Sequence, residues 1–168
     1  MANDFDALLA RVIREARAIG IPVSRRIRPH VAVNSRAVGR FGLCRKTPFG
    51  WEIELSARLR EADEQACLQT LAHEALHTCA GCADHGARWK SYAEQMRAAY
   101  GYKIRRTDTC EALGIPDLRR PRWAVRCDTC GQVLTRQRRS ALITHPERYR
   151  CRCGGRLVPI PLSKEETP

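Results

Sequence analysis

No apolar run in this 168-residue chain approaches the length needed to cross a bilayer. The N-terminus, MANDFDALLARV, lacks the basic start and apolar block of a secretory signal, so a soluble, cytoplasmic protein is expected. No internal repeat is visible, so a repeat architecture is not expected. Nor is there a disulfide framework to anticipate: the nine cysteines are odd in number and no export signal accompanies them, which turns attention to metal binding. Lysine is scarce. Lys46, Lys90, Lys103 and Lys164 are the only four, against 26 arginines.

What is present is a chain that is 43% apolar, enough for a packed core of one ordinary domain with a small module attached. The net charge is +12, denser after residue 104 than before it. Such an excess favours polyanionic partners, nucleic acid first, although a merely solvated basic surface accounts for the charge equally well.

Residues 3–19 read as a helix capped by Asn3, with Phe5, Leu8, Leu9, Val12, Ile13, Ala16 and Ile19 on one apolar stripe. Residues 27–55 read as about three strands of a small antiparallel sheet, with TPFG as a turn before the alternating WEIELS. Helical spacing returns over 61–79, with Leu68, Leu71, Ala72, Ala75, Leu76 and Cys79 inward. It returns again from Asp84 to Tyr100. The expected fold class is therefore α+β. The expected division is a domain over 1–104, a basic linker over 105–122, a cysteine module over 123–160 and a disordered tail over 161–168.

His73-Glu74-Ala75-Leu76-His77 is an H-E-x-x-H pattern on a predicted helix. Histidines four apart lie one turn apart on one face, so both reach a single ion. Three protein ligands and a water make a catalytic zinc site. Zinc lowers the pKa of the water, and Glu74 is positioned to take its proton during attack on a carbonyl. The extended pattern H-E-x-x-H-x-x-G-x-x-H fails, because Ala80 and Ala83 stand where glycine and histidine are needed. His85, across the turn at Gly81, is the favoured third ligand, and Glu94 is the competitor. Cys79 and Cys82 form a C-x-x-C pair read as small residues closing a helix rather than as a redox couple.

Cys127 and Cys130 form a second C-x-x-C, followed after twenty residues by Cys151 and Cys153. Two thiolate pairs on turns enclose one tetrahedral zinc, and the strand-like QVLT and RLVPI beside them fit a zinc ribbon held together by its metal. The second pair has one intervening residue rather than two, with His145 in reserve as a ligand. Arg119, Arg120, Arg122, Arg136, Arg138 and Arg139 flank this module, with Trp123 and Tyr149 among them. Phosphate contact and base stacking are the expectation there.

These elements in this order resemble the SprT-like zinc metalloproteases, relatives of Spartan. HEALH resembles the family's metal helix, DHGARW its H-G-x-x-[FW] element, and Cys127 to Gly155 the zinc ribbon that follows the protease domain in many members. The resemblance implies a compact zincin-like domain followed by a ribbon. It implies zinc on His73, His77 and His85, and Glu74 as catalytic base. It further implies cleavage of DNA-bound or crosslinked proteins stimulated by single-stranded or damaged DNA. Two other readings stay open: a non-enzymatic, transcription-related nucleic-acid-binding protein, and a hydrolase of small amides. Tyr92, Tyr100 and Arg88 are the candidates for stabilising the oxyanion.

Overall fold

The computed structural model describes residues 2–162 and divides the chain into two compact units, one ending at Asp117 and one starting at Leu118. The tail expected to be disordered lies, from residue 163 on, outside the described residues. Among the described residues no helix is long and apolar enough to cross a membrane.

The first unit opens with α1 (Phe5–Ala18), which buries Phe5, Leu8, Leu9, Val12 and Ala16. Asp4, not Asn3, is its cap: Asp4 Oδ1 accepts the N–H groups of Asp6 and Ala7. The side-chain amide of Asn3 is committed elsewhere, donating to the carbonyls of Leu59 at 3.0 Å and Ala62 at 2.8 Å. Three strands follow, β1 (Ala32–Asn34), β2 (Gly42–Thr47) and β3 (Gly50–Ser56). Their order is β1-β3-β2. The β2–β3 hairpin is antiparallel, as expected, but β1 pairs with β3 in parallel, so the sheet is mixed. The reason is topological. Strands that alternate in direction leave the first and third running the same way, and here the third lies between the other two.

A 3₁₀ turn over Ala57–Glu61 leads into α2 (Glu64–Leu76), capped by Asp63. α2 is shorter than the 61–79 expected from periodicity, because Thr78 and Cys79 close tight turns onto Ala75 and Leu76. Its inward residues are as expected, but burial extends further round, to Gln69, Thr70 and Glu74. α3 (Ala87–Tyr100) packs Trp89, Ala93 and Met96 inward and ends at Gly101. Asp84 caps nothing, although its carboxylate accepts the Gly86 N–H at 3.1 Å in the turn before α3. The first part of the segment expected to be a linker belongs to this unit. Cys110, Leu113 and Ile115 are buried in the main core, as apolar side chains able to reach it should be.

The second unit is a sheet of order β5-β4-β6, all antiparallel, made of β4 (Trp123–Cys127), β5 (Val133–Arg136) and β6 (Leu157–Ile160). A single helical turn, α4 (Ala141–Thr144), and a 3₁₀ turn at Pro146–Arg148 fill the long connection. Among the described residues its core cluster is Val125, Cys127, Ile143, Cys151 and Leu157, with Leu134 and Leu142 alongside.

Leu71 is fully buried in α2, on the helix that carries the first histidine of the motif. Leu71→Ala is expected to cost about 2–5 kcal/mol of stability, read as a lowered urea midpoint of the first unit by far-ultraviolet circular dichroism.

Candidate functional site

α2 presents His73 and Glu74 from its last turn, and His77 follows just past the helix end. The reversal through Gly81 brings His85 back. His73 Nε2 lies 3.2 Å from His77 Nε2 and 3.0 Å from His85 Nε2. Of the two third-ligand candidates, His85 joins the cluster. Glu94 is exposed on α3 and ion-paired with Arg97.

The other ring nitrogens decide what this cluster is. His73 Nδ1 is 2.8 Å from the Arg105 carbonyl and His77 Nδ1 is 2.7 Å from the Cys82 carbonyl. A carbonyl only accepts, so each Nδ1 carries the ring proton and each Nε2 turns a lone pair inward. Lone pairs converging at this distance repel unless a cation lies between them. The donor set therefore fits a metal ion, held by His73, His77 and His85. Such Nδ1–carbonyl bonds fix tautomer and ring orientation. Burial, the largest influence, holds His73 down at about 4 and lowers His85 as well, which keeps both rings neutral. The Trp89 indole, 2% exposed, walls the cluster with its ring 4.9 Å from His73, 5.9 Å from His77 and 4.7 Å from His85. That gives the tryptophan of DHGARW a physical role.

Glu74 faces the sheet and lines one cleft with His73. A Cβ at Gly42 would stand 2.5 Å from Glu74 Oε1, so only glycine admits the carboxyl there. Burial pushes Glu74 up to about 7, opposed by the Cys44 backbone N–H and by Arg40. Beside it a cleft of about 170 Å³ is lined by Arg40, Phe41, Thr70, His73, Glu74 and Asp108, among others. Asp108 Oδ1 is buried without a hydrogen-bond partner among the described residues. Arg58 ties the two walls together. Its guanidinium donates to the Val38 carbonyl at 2.8 Å and to the Pro116 carbonyl, and it lies over the Phe41 ring.

Arg40, Arg58, Arg105 and Asp108 left no signal in the sequence that marks them as part of the site. The three residues considered for the oxyanion, Tyr92, Tyr100 and Arg88, are not among those lining the cleft, and Arg88 is bonded to the Ala80 carbonyl at 3.0 Å. Cys79 and Cys82 are buried, and burial raises both thiols.

In the second unit Cys127, Cys130, Cys151 and Cys153 converge, with Cys127 Sγ 3.5 Å from Cys153 Sγ and Cys130 Sγ 3.6 Å from Cys151 Sγ. The irregular second pair is thus accommodated, and His145 stays outside, beside Glu147. Gly155 makes the close turn possible, since a Cβ there would stand 2.5 Å from both Cys127 Sγ and Thr129 Oγ1. Backbone N–H groups, that of Cys130 foremost, draw the Cys127 thiol down to about 6, which favours the ligating thiolate. This cluster too could hold a metal ion. A cluster of five buried side chains is small for a stable core, so chelation is expected to open the second unit while the first stays folded, as rapid amide exchange confined to β4–β6.

A second expectation concerns Glu74 in metal-free protein. Its carboxyl ionises near 4.5 when unfolded and near 7 when folded, so its stabilising contribution is complete below about 4.5 and lost as pH rises through about 7. His73 acts in the opposite sense, contributing above about 6.5 and losing that contribution as pH falls towards 4. Glu74→Gln removes only the first effect. The variant should gain stability relative to wild type as pH rises from 5 to 8, by up to about 3 kcal/mol, measured as the difference in urea midpoints.

A search among curated proteins finds no match to the chain. A family model described as SprT-like matches residues 17–109, more than half of the chain. The matched stretch contains His73, Glu74, His77 and His85, the Gly42 approach and the Arg105 carbonyl. The chain belongs to the SprT-like family, whose members are generally metalloprotease-like.

Proposed function

We propose that this protein is a zinc-dependent endopeptidase acting on proteins associated with DNA. The observation that carries the reading is the convergence of His73, His77 and His85, with the buried Glu74 carboxyl lining one cleft with His73. Imidazoles at one site and cysteine sulfurs at the other are donor sets that suit zinc. His73, His77 and His85 would hold one ion, and Cys127, Cys130, Cys151 and Cys153 the other. At the imidazole site zinc supplies Lewis acidity, which makes a water acidic near neutral pH and polarises a carbonyl.

Glu74 does the proton work. Its carboxylate takes a proton from the attacking water as the water oxygen bonds to the carbonyl carbon. The carboxylic acid then returns that proton to the departing amine as the C–N bond breaks. Three protein donors rather than four leave room for reacting groups, which favours catalysis over a purely structural ion. β2, the strand whose Cys44 N–H meets Glu74, is an edge strand, and an extended peptide can add to a free edge. That favours a polypeptide over a small amide.

Support for DNA is the charge of +12 and the chemistry of the second unit. Arg119, Arg120, Arg122, Arg136, Arg138 and Arg139 are exposed, as are the rings of Trp123 and Tyr149. Arg139 lies 5.2 Å over the Trp123 ring. Exposed cations with exposed rings suit phosphates and unstacked bases.

Zinc-loaded protein is expected to cleave a basic DNA-binding protein, faster with single-stranded DNA than without. Glu74→Gln should lose about a hundredfold or more while retaining both zinc ions by atomic absorption. Cleavage at the wild-type rate by that variant would refute Glu74 as base. Cleavage indifferent to DNA would remove the DNA part and keep the peptidase.

A further inference from the structure

The turn between β2 and β3 carries an apolar ring into solvent. Phe49 is 80% exposed, well beyond any other large hydrophobic residue described. Such a ring adds nothing to folding where it stands. Its surroundings are cationic. The Trp51 N–H donates to the Arg26 carbonyl and the Arg28 N–H to the Trp51 carbonyl, both at 2.8 Å, lashing the basic segment Arg25–Arg28 to the base of the hairpin. On the strands themselves, Lys46 Nζ lies 5.9 Å over the Trp51 ring, and Arg28 and Arg45 share the Glu52 carboxylate at 3.1 and 3.8 Å. Arg25, Arg26 and Lys46 are exposed and, among the described residues, have no carboxylate partner.

We propose that this hairpin is a docking surface for single-stranded nucleic acid, with Phe49 as the stacking platform and Arg25, Arg26 and Lys46 as phosphate contacts. A projecting ring with cations around it complements a strand whose bases are unstacked and whose phosphates recur beside them. In a duplex the bases stack on one another and offer the ring no face. A lipid surface is the poorer fit, because Thr47, Pro48 and Gly50 add little apolar area around one phenylalanine, and interfacial anchoring scales with that area. The surface extends the nucleic-acid part of the reading above from the second unit to the first, and rests on that part alone. Its location has a consequence within the first unit. β2 runs from this turn to the Cys44 N–H that meets Glu74, so one strand joins the turn that carries Phe49 to the contact with the Glu74 carboxyl.

The test uses the zinc-loaded full chain in a Glu74→Gln background, so that binding is read without proteolysis. The probe is a fluorescein-labelled oligothymidine, followed by anisotropy over a range of salt. Phe49→Ala is expected to weaken binding about tenfold, and Phe49→Trp to restore it. Both should keep the wild-type melting temperature, the side chain being exposed. Removing Arg25 and Arg26 together should flatten the salt slope by about 1.4, roughly 0.7 for each phosphate no longer neutralised. Affinity for duplex DNA should change little with Phe49→Ala. The proposal is overturned if Phe49→Ala binds within twofold of wild type. It is equally overturned if only Arg136 and Arg139 substitutions weaken binding, or if Phe49→Ala alters association with phosphatidylserine vesicles and not with the oligonucleotide. A failure of the peptidase reading would instead appear as absent cleavage by the wild-type chain, with these affinities unchanged.

Discussion

Three imidazoles are held with their Nε2 atoms turned towards one another, and this arrangement is unfavourable without a cation between them. Two backbone carbonyls impose it, Arg105 on His73 and Cys82 on His77. Neither carbonyl lies in the helix that bears the motif. The turn at residues 78–82 and the segment after α3 must both be in place before the rings can point correctly. That explains why residues 105–117 are packed into the first unit rather than left as a tether. Cys110, Leu113 and Ile115 bury the segment, and its burial fixes the carbonyl.

The sheet serves the same centre from the opposite side. α2 is buried round most of its circumference, so Glu74 is pressed between helix and β2. A carboxyl in that position is desolvated, and its proton affinity rises to the neutral range. The geometry tolerates it only because Gly42 has no side chain to collide with it. Burial acts on His73, His85 and Glu74 with opposite results. Desolvation disfavours charge on each, so His73 and His85 stay neutral and able to ligate, and the proton affinity of Glu74 rises.

The two units solve different stability problems. The first has a continuous core that reaches from α1 through the sheet to Ile115. The second has a handful of buried side chains and four convergent sulfurs, and a metal would supply the cohesion that apolar burial cannot.

Local signals were legible in the sequence. The apolar stripes of the helices, the hairpin turn before WEIELS, the H-E-x-x-H spacing and both cysteine pairs depend on residues close in the chain, and each is found where its spacing predicts. The alternation of apolar and polar residues also marks which face of β3 is buried. Pairing partners are a different matter. That β1 runs parallel to β3 depends on strand order, which periodicity does not encode. The cap of α1 shifts to Asp4 because Asn3 is drawn to Leu59 and Ala62, partners far along the chain. His85 could be weighed against Glu94 from sequence, but only the reversal through Gly81 brings its ring to His73. The carbonyl of Arg105, the buried Oδ1 of Asp108 and the Arg58 clamp left no sequence signal. Backbone acceptors look alike at every position, and a buried carboxylate looks like any aspartate. The sequence by itself determined the ligand types and the helices that present them, because those follow from side-chain chemistry and local spacing. The tertiary structure alone decided tautomer, burial and proton affinity, because these depend on atoms brought together from distant parts of the chain.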